Sequence, residues 1–435
     1  MKQLVFLILT STFTFKLLAQ EIIPITKANL KTKALDNNLQ VKMANNEVAL
    51  AEAELLKTRA AYLPNITATY TFINTNNPLM AFGSKLNQER ITMTDFNPDN
   101  LNNPKSISNF ETKVEVQQPI INMDAVYLKK AGQVKADVLK IKTERTKEYI
   151  LYELNKAYMM LQLAYKMLET LENAKQTTLA NKKVMDDYFK NGIIQQVDVL
   201  YMNVRVSEIN NQIQLAKSNI KNASDYLYFL LNEDATDKIL KPTESLEYKN
   251  EIIEPTVKLN ESRKDIQAYH KSLEAYNWLI KSSQSKLLPT LNAFGNFAMN
   301  NNKIYQYNAG GYFVGLQLSW NIFDGLKSKS EQTKYKTELT KTQTEIEQYT
   351  KQSQLEFIKI FRQLQDANNK VSFTNEAWQQ SKEAYRIRKN RYDQGLEKSA
   401  DLLSSETLMS QKELEYYQAV FEYNSAFEYY KFLKS

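Results

Sequence analysis

The chain has 435 residues, enough for roughly two or three ordinary domains, yet it carries only 9 glycines, 9 prolines, one histidine and no cysteine. Turn-rich α/β enzymes need more glycine and proline than that, and the missing cysteine excludes disulfides, thiolate metal sites, a thiol nucleophile and a lipid-modified N-terminal cysteine. The formal charge of +7 is spread without a basic cluster, and the mean hydropathy of −0.51 is too polar for a helical membrane protein. What remains is long polar helices with few turns, and neither catalysis, a cofactor, a metal nor nucleic acid is expected.

Met1-Lys2-Gln3, the mostly apolar stretch Leu4–Leu18 and Ala19 predict a secretory signal peptide over residues 1–19. No later stretch offers the ~20 apolar residues of a spanning helix. A first unit is expected over 20–232. It opens with a helix and passes Leu63-Pro64 into a strand at about 65–73, where Ile66, Ala68, Tyr70 and Phe72 oppose Asn65, Thr67, Thr69 and Thr71. Residues 74–109, rich in Asn and Ser and holding Pro78, Pro98 and Pro104, read as an exposed loop. Within it, Leu79-Met80-Ala81-Phe82 reads as local packing, as a fold back over the sheet's end, or as a partner contact. A second strand follows at about 110–119, with Phe110, Val114 and Val116 opposing Glu111, Lys113, Glu115 and Gln117. No proline lies between 120 and 241. Proline costs about 3 kcal/mol inside a helix, so a helix over 123–190, a turn at Gly192 and a return helix over 197–232 are all permitted.

A connecting segment, 233–257, holds Pro242 and Pro255. The second unit, 258–435, repeats the order: helix, strands at about 290–299 and 312–322, a helix over 324–393, a turn at Gly395 and a return helix over 397–433. In the last strand Val314, Leu316, Leu318, Trp320 and Ile322 share a face opposite Gly315, Gln317, Ser319 and Asn321. Strand 290–299 is the least regular, because Phe294 falls on its polar face. The units correspond residue by residue: Leu63-Pro64 meets Leu288-Pro289, Gln117 and Asp124 meet Gln317 and Asp324, and Gly192, Asp198 and Leu200 meet Gly395, Asp401 and Leu403. Along the second long helix a narrow seam (Ile346, Tyr349, Ser353, Phe357, Ile360, Leu364, Ala367, Val371) follows coiled-coil spacing. His270 lies in a polar helical stretch and is expected at the surface.

A sheet with one apolar and one polar face packs its apolar side either on a helix or against lipid. Strands of about 9–10 residues match a tilted transmembrane strand. Four such strands cannot close, and an open edge cannot sit in lipid, so the membrane reading requires several chains to share one barrel, with Val314, Leu316, Leu318 and Trp320 facing lipid. The alternative is a secreted or periplasmic coiled-coil adaptor or structural protein without a pore. Asp198 and Asp401 also have two readings: each sits in the first turn of a return helix, where a carboxylate suits the helix dipole.

The two helix–strand–strand–helix–helix units, with Tyr188-Phe189-Lys190-Asn191-Gly192 through Asp198-Val199-Leu200 and Arg391-Tyr392-Asp393-Gln394-Gly395 through Asp401-Leu402-Leu403, resemble the TolC-like outer membrane efflux protein family over nearly the whole mature chain. The resemblance implies an α+β membrane protein. It would be a homotrimer whose four strands per chain build a twelve-stranded barrel in outer-membrane lipid, continued by a long α-helical coiled-coil tunnel in the periplasm. It implies an exit duct for a tripartite efflux or type I secretion system, joined through a periplasmic adaptor to an inner-membrane pump of RND or ABC type. It further implies that Tyr392 and Asp401, with Phe189 and Asp198 as first-unit counterparts, hold the tunnel tip shut, and that Gly192, Ile193, Gly395 and Leu396 form the adaptor-docking turns. Two positions depart from the pattern: Glu397 stands where a gating arginine is expected, and Ser404 where a second ring aspartate is expected.

Overall fold

Period-two alternation and proline-free heptad runs become, in the computed structural model, a four-stranded sheet and four helices of 36 residues or more. Residues 22–235, 238–251, 260 and 262–435 are described. The expected signal peptide and Pro255 lie outside them. In chain order the elements are β1 (Ile22–Ile25), α1 (Lys27–Asn37), α2 (Leu39–Arg59), β2 (Asn65–Thr75), α3 (Pro78–Asn87), a 3₁₀ turn (Met93–Phe96), α4 (Pro98–Asn102), β3 (Ile107–Ile121), α5 (Met123–Lys190) and α6 (Gln196–Leu231). Then come β4 (Ile239–Pro242), α7 (Lys264–Ser285), β5 (Thr290–Asn301), β6 (Ala309–Ser319), α8 (Lys327–Asp393) and α9 (Ser399–Lys434). Among the described residues no helix is long and apolar enough to cross a membrane. His270 is exposed.

The described residues divide into two compact units, one within 43–145 and 260–353, the other within 22–42, 146–251 and 354–435. The first holds the antiparallel sheet, in order β2-β3-β5-β6. Its register puts Thr67 opposite Glu115, Thr69 opposite Lys113 and Asn296 opposite Glu115, so one face is mostly polar. The other face carries Ile66, Phe72, Val114, Val314, Leu316 and Leu318, all exposed. Phe294 stays on the polar face because Gly315 makes room for it. A Cβ there would stand 2.7 Å from the Phe294 ring, which instead packs on Phe313 at 5.4 Å.

Three expectations for this unit are corrected. The last strand ends at Ser319, leaving Trp320 and Ile322 beyond it. Pro289 has no N–H to extend the ladder past the Thr290–Ser319 pair, and the Trp320 indole N–H donates instead to the Leu287 carbonyl at 3.0 Å. The second long helix starts at Lys327 and not 324, since Gly325 and Leu326 take φ of 67° and 68°. Asp324 accepts from the Ser328 N–H at 2.8 Å in this turn. The stretch between the first two strands is folded and not an open loop. Asn77 caps Met80 at 3.2 Å ahead of Pro78, and Asn97 caps Asp99 at 2.9 Å ahead of Pro98, so each Asn-Pro pair starts a helix.

The second unit has its core where α1, the start of α2, α5, α6 and β4 meet: Leu30, Ala34, Val41, Leu154, Leu161, Leu227 and Leu240 are all buried. β1 and β4 pair in parallel at its margin, so the connecting segment contains a strand that the sequence reading lacks. The first helix also breaks, at the buried Asn38. Its side chain donates to the Leu230 carbonyl at 2.8 Å and accepts from the Gln40 N–H at 2.9 Å, which caps α2. On α8, Phe357, Ile360, Leu364 and Val371 of the seam are buried, and Phe357 stacks on Tyr430.

Candidate functional site

The sequence calls fall in two places. In the sheet unit, Val314, Leu316 and Leu318 project from one face of β6 at 70%, 70% and 71% exposure, and Trp320 lies just past its end at 60%. Adjacent apolar groups this exposed would cost about 25 cal/mol per Å² in water, so the face needs an apolar surrounding. Among the described residues β2 and β6 each have a single strand neighbour, which leaves both sheet edges open.

The other place is the pair of helix turns α5–α6 and α8–α9, both in the second unit. Each α-helix ends in the same hydrogen-bonded turn. At the first, the Gly192 N–H donates to Phe189 O and the Ile193 N–H to Tyr188 O. At the second, the Gly395 N–H donates to Tyr392 O and the Leu396 N–H to Arg391 O, all four at 2.9 Å. The glycines take φ of 72° and 74°, and a Cβ on either would meet open space. Glycine is required there by the backbone alone. Ile193 and Leu396, the next residues, are both largely exposed.

Tyr392 is 2% exposed and packs with Met185, Met202 and Leu402, joining the two turns in one cluster. Its ring lies 5.6 Å from Tyr188 and its hydroxyl 3.3 Å from Ser399 Oγ. Burial pushes its phenol upward. The residue that meets Tyr392 is therefore Tyr188, while Phe189 is exposed. The buried seam explains this: Thr178, Asn181 and Met185 follow 3/4 spacing, and the next step of three reaches Tyr188, with Phe189 one residue past it. Asp198 accepts the Gln195 N–H at 3.1 Å, as a helix-capping carboxylate does. Asp401 is instead half exposed, with Arg388 Nη1 at 3.9 Å. Glu397, largely covered, holds two arginines: Arg388 Nη1 at 2.7 Å and Arg391 Nε at 2.8 Å. Position 397 thus carries a carboxylate that binds two arginines of its own hairpin. Arg388, Arg391, Tyr188 and Ser399 are site residues the sequence reading omits. Tyr188 alone had a signal, its helical phase.

The sequence profile described as "Outer membrane efflux protein" matches residues 30–233 and 257–428. The chain belongs to the outer membrane efflux protein family. Proteins of this family are outer-membrane channels with a large helical part in the periplasm, and they transport without enzymatic chemistry. Membership sets aside the secreted, pore-free alternative. Similar solved structures include a membrane protein from Pseudomonas aeruginosa, with TM-score 0.79 and 16% identity over 94% of this chain and 92% of that one. The CmeC outer membrane channel of Campylobacter jejuni gives 0.76 and 16% over 92% and 84%. The MtrE outer membrane channel of Neisseria gonorrhoeae, in its open state, gives 0.75 and 13% over 94% and 89%. At these identities the likeness is one of fold. No curated protein sequence matches significantly.

Proposed function

We propose that three copies of this efflux-family chain close one barrel and form the exit duct of a tripartite efflux or type I secretion system. The observation that carries this is the four-stranded sheet with open edges at β2 and β6, one polar face and one exposed apolar face. Lipid tolerates no unpaired strand edge, and β6 of one copy runs antiparallel to β2 of the next, so a ring of copies satisfies both edges. Three copies give twelve strands. The polar face then lines a wet lumen and Val314, Leu316 and Leu318 meet lipid.

Conduction is passive, so control lies at a constriction. In this reading the two turns form the inward tip. Tyr392, Tyr188, Asp198 and Asp401 restrain it, with Asp401 the member free to form a carboxylate ring, and Phe189 stands outside the packed cluster. Gly192, Ile193, Gly395 and Leu396 present the adaptor-docking end, beyond which an inner-membrane pump of RND or ABC type supplies the cargo. The two sequence units, 20–232 and 258–435, correspond to two structural repeats. The test is purification followed by planar-bilayer recording. A detergent-dependent, heat-sensitive oligomer that conducts is the expected result. A monodisperse monomer without detergent, or an assembled oligomer that never conducts, would overturn the reading.

A further inference from the structure

The two connections at the end of the sheet go to opposite faces. Register decides which face each one meets. Residues 109, 111, 113, 115 and 117 of β3 share the polar face with 296, 298 and 300 of β5 and with 309, 311 and 313 of β6. The segment 76–106 packs on that face. Its helix α3 contacts β3, β5 and β6, and Ala81 on it and Ala309 on β6 are each 1% exposed. Gln88, at the end of α3, donates to the Ser108 carbonyl at 2.9 Å and to Asn109 Oδ1 at 2.8 Å. Asn109 in turn donates to Asn300 Oδ1 at 2.8 Å. All three amides are buried, so the segment is tied to β3 directly and to β5 through Asn109. The short connection after β5 behaves differently. Tyr305 stacks on Tyr70, whose ring belongs to the apolar face, with centroids 6.1 Å apart.

The 76–106 segment has structure of its own. Lys85 Nζ meets Asp95 Oδ1 at 2.6 Å. That bond, with the Thr92 N–H behind it, pulls the Asp95 carboxyl down to about 2. Phe82 sits edge-on to Phe96 at 5.8 Å, and Arg90 donates to Gln88 Oε1 at 3.1 Å. A connection that only had to pass from β2 to β3 would need two to five residues. This one has two helices, a 3₁₀ turn and a buried amide chain fixing it to the polar face.

We propose that residues 76–106 form a folded rim inside the outward mouth of the barrel, anchored by Gln88, Asn109 and Asn300, which sets the size of what passes that mouth. The inference rests on the channel reading, in which the polar face is the lumen. In the trimer three copies of the rim would converge on the axis.

The absence of native cysteine supplies the test. Asn296→Cys places a single thiol on the polar face, four residues back along β5 from Asn300. Intact cells are treated from outside with a small maleimide and with a bulky polymer-linked maleimide. The small reagent labels this thiol readily. The bulky one labels it at least roughly tenfold more slowly, because access scales with the narrowest pore radius. Replacing 76–106 with a short Gly-Ser turn removes that difference. The pair Gln88→Ala with Asn109→Ala reduces it while keeping the segment, which covers the case in which the shortened chain fails to assemble. Equal labelling by both reagents in the parent overturns the rim. So does a size difference unchanged in both variants. If the small reagent also fails to label Asn296→Cys in the shortened, assembled oligomer, the lumen reading fails instead.

Discussion

At the turn between α5 and α6, Gly192 takes φ of 72°, and at the turn between α8 and α9, Gly395 takes 74°. The same two hydrogen bonds close each. What the turns carry is different. The first return helix sends Val197, Leu200, Tyr201 and Val204 outward, all exposed and bulky. The matching positions of the second are Ala400, Leu403, Ser404 and Thr407. The first turn is capped by Asp198 alone, whereas the second is held by Glu397 between two arginines and by buried Tyr392. A shared backbone with divergent side chains says that the turn geometry serves both halves equally. The first turn leaves apolar surface exposed, and the second keeps its ion pairs within its own hairpin while Tyr392 reaches across to the first.

The common backbone is the first thing to break. Gly192→Val with Gly395→Val places a β-branched residue at positive φ twice, at about 1–2 kcal/mol or more each. Because a Cβ meets open space at both sites, the damage is confined to the turns. Export, read as drug or dye efflux from cells, should be abolished while the heat-sensitive oligomer still forms. Normal efflux by the assembled double variant would remove the turns from the docking assignment. Gly→Ala at one turn alone should cost about 1 kcal/mol by thermal unfolding.

Much of this architecture is legible from residues. The strands declare themselves because one face is apolar and the other mostly polar, so Val314, Leu316 and Leu318 alternate with Gly315, Gln317 and Ser319 in β6. The long helices are legible because 123–190 and 327–393 contain no proline and glycine appears only at Gly132 within them. Other features carry weaker signals. β1 and β4 are four residues each and far apart in the chain, so only their pairing reveals them. The rim was written in Asn77-Pro78 and Asn97-Pro98, an N-cap followed by a preorganised first helical residue, but an Asn- and Pro-rich stretch also spells loop. At the tip, aligning Phe189 with Tyr392 follows sequence position, whereas helical phase selects Tyr188. The Glu397 clasp was invisible because its partners, Arg388 and Arg391, lie across a turn whose geometry sequence alone does not fix.

Glu397→Gln sharpens the contrast next. It leaves Arg388 and Arg391 facing a neutral group. Glu397 is mostly covered, but both arginines are about half exposed, so screening trims the loss to about 1–2 kcal/mol. A polar change beside the first turn, Gln195→Ala, removes no ion pair and should fall within about 0.5 kcal/mol. Thermal unfolding of the helical part by circular dichroism compares them. Equal losses would mean the clasp contributes nothing.

The two aspartates separate capping from gating. Asp198→Ala removes the carboxylate that accepts the Gln195 N–H, a loss of about 1 kcal/mol. Asp401 has only Arg388 at 3.9 Å and is half exposed, so Asp401→Ala should change stability by less than about 0.5 kcal/mol. Conductance should order them the other way. In the proposed ring of chains, Asp401→Ala should remove one loosely paired carboxylate per chain and abolish block by divalent cations. Divalent block surviving in Asp401→Ala but lost in Asp198→Ala would exchange their roles.

The smallest effect is expected at Tyr392. Its ring is buried against Tyr188, Met185, Met202 and Leu402, and Phe keeps that packing. Only the hydroxyl goes, and its bond to Ser399 is long at 3.3 Å, so Tyr392→Phe should cost about 0.5 kcal/mol. Because that bond lies within one chain, losing it should leave single-channel conductance unchanged. Conductance should rise only when Asp401→Ala is added, since the carboxylate is the exposed member of the pair. A large rise from Tyr392→Phe alone would mean that the hydroxyl restrains a neighbouring chain in the assembled channel, and that its bond to Ser399 is the one made when that neighbour is absent. Ser399→Ala distinguishes the cases: it should reproduce the small stability loss of Tyr392→Phe if the two hydroxyls are partners in the assembled protein, and leave both stability and conductance untouched if they are not.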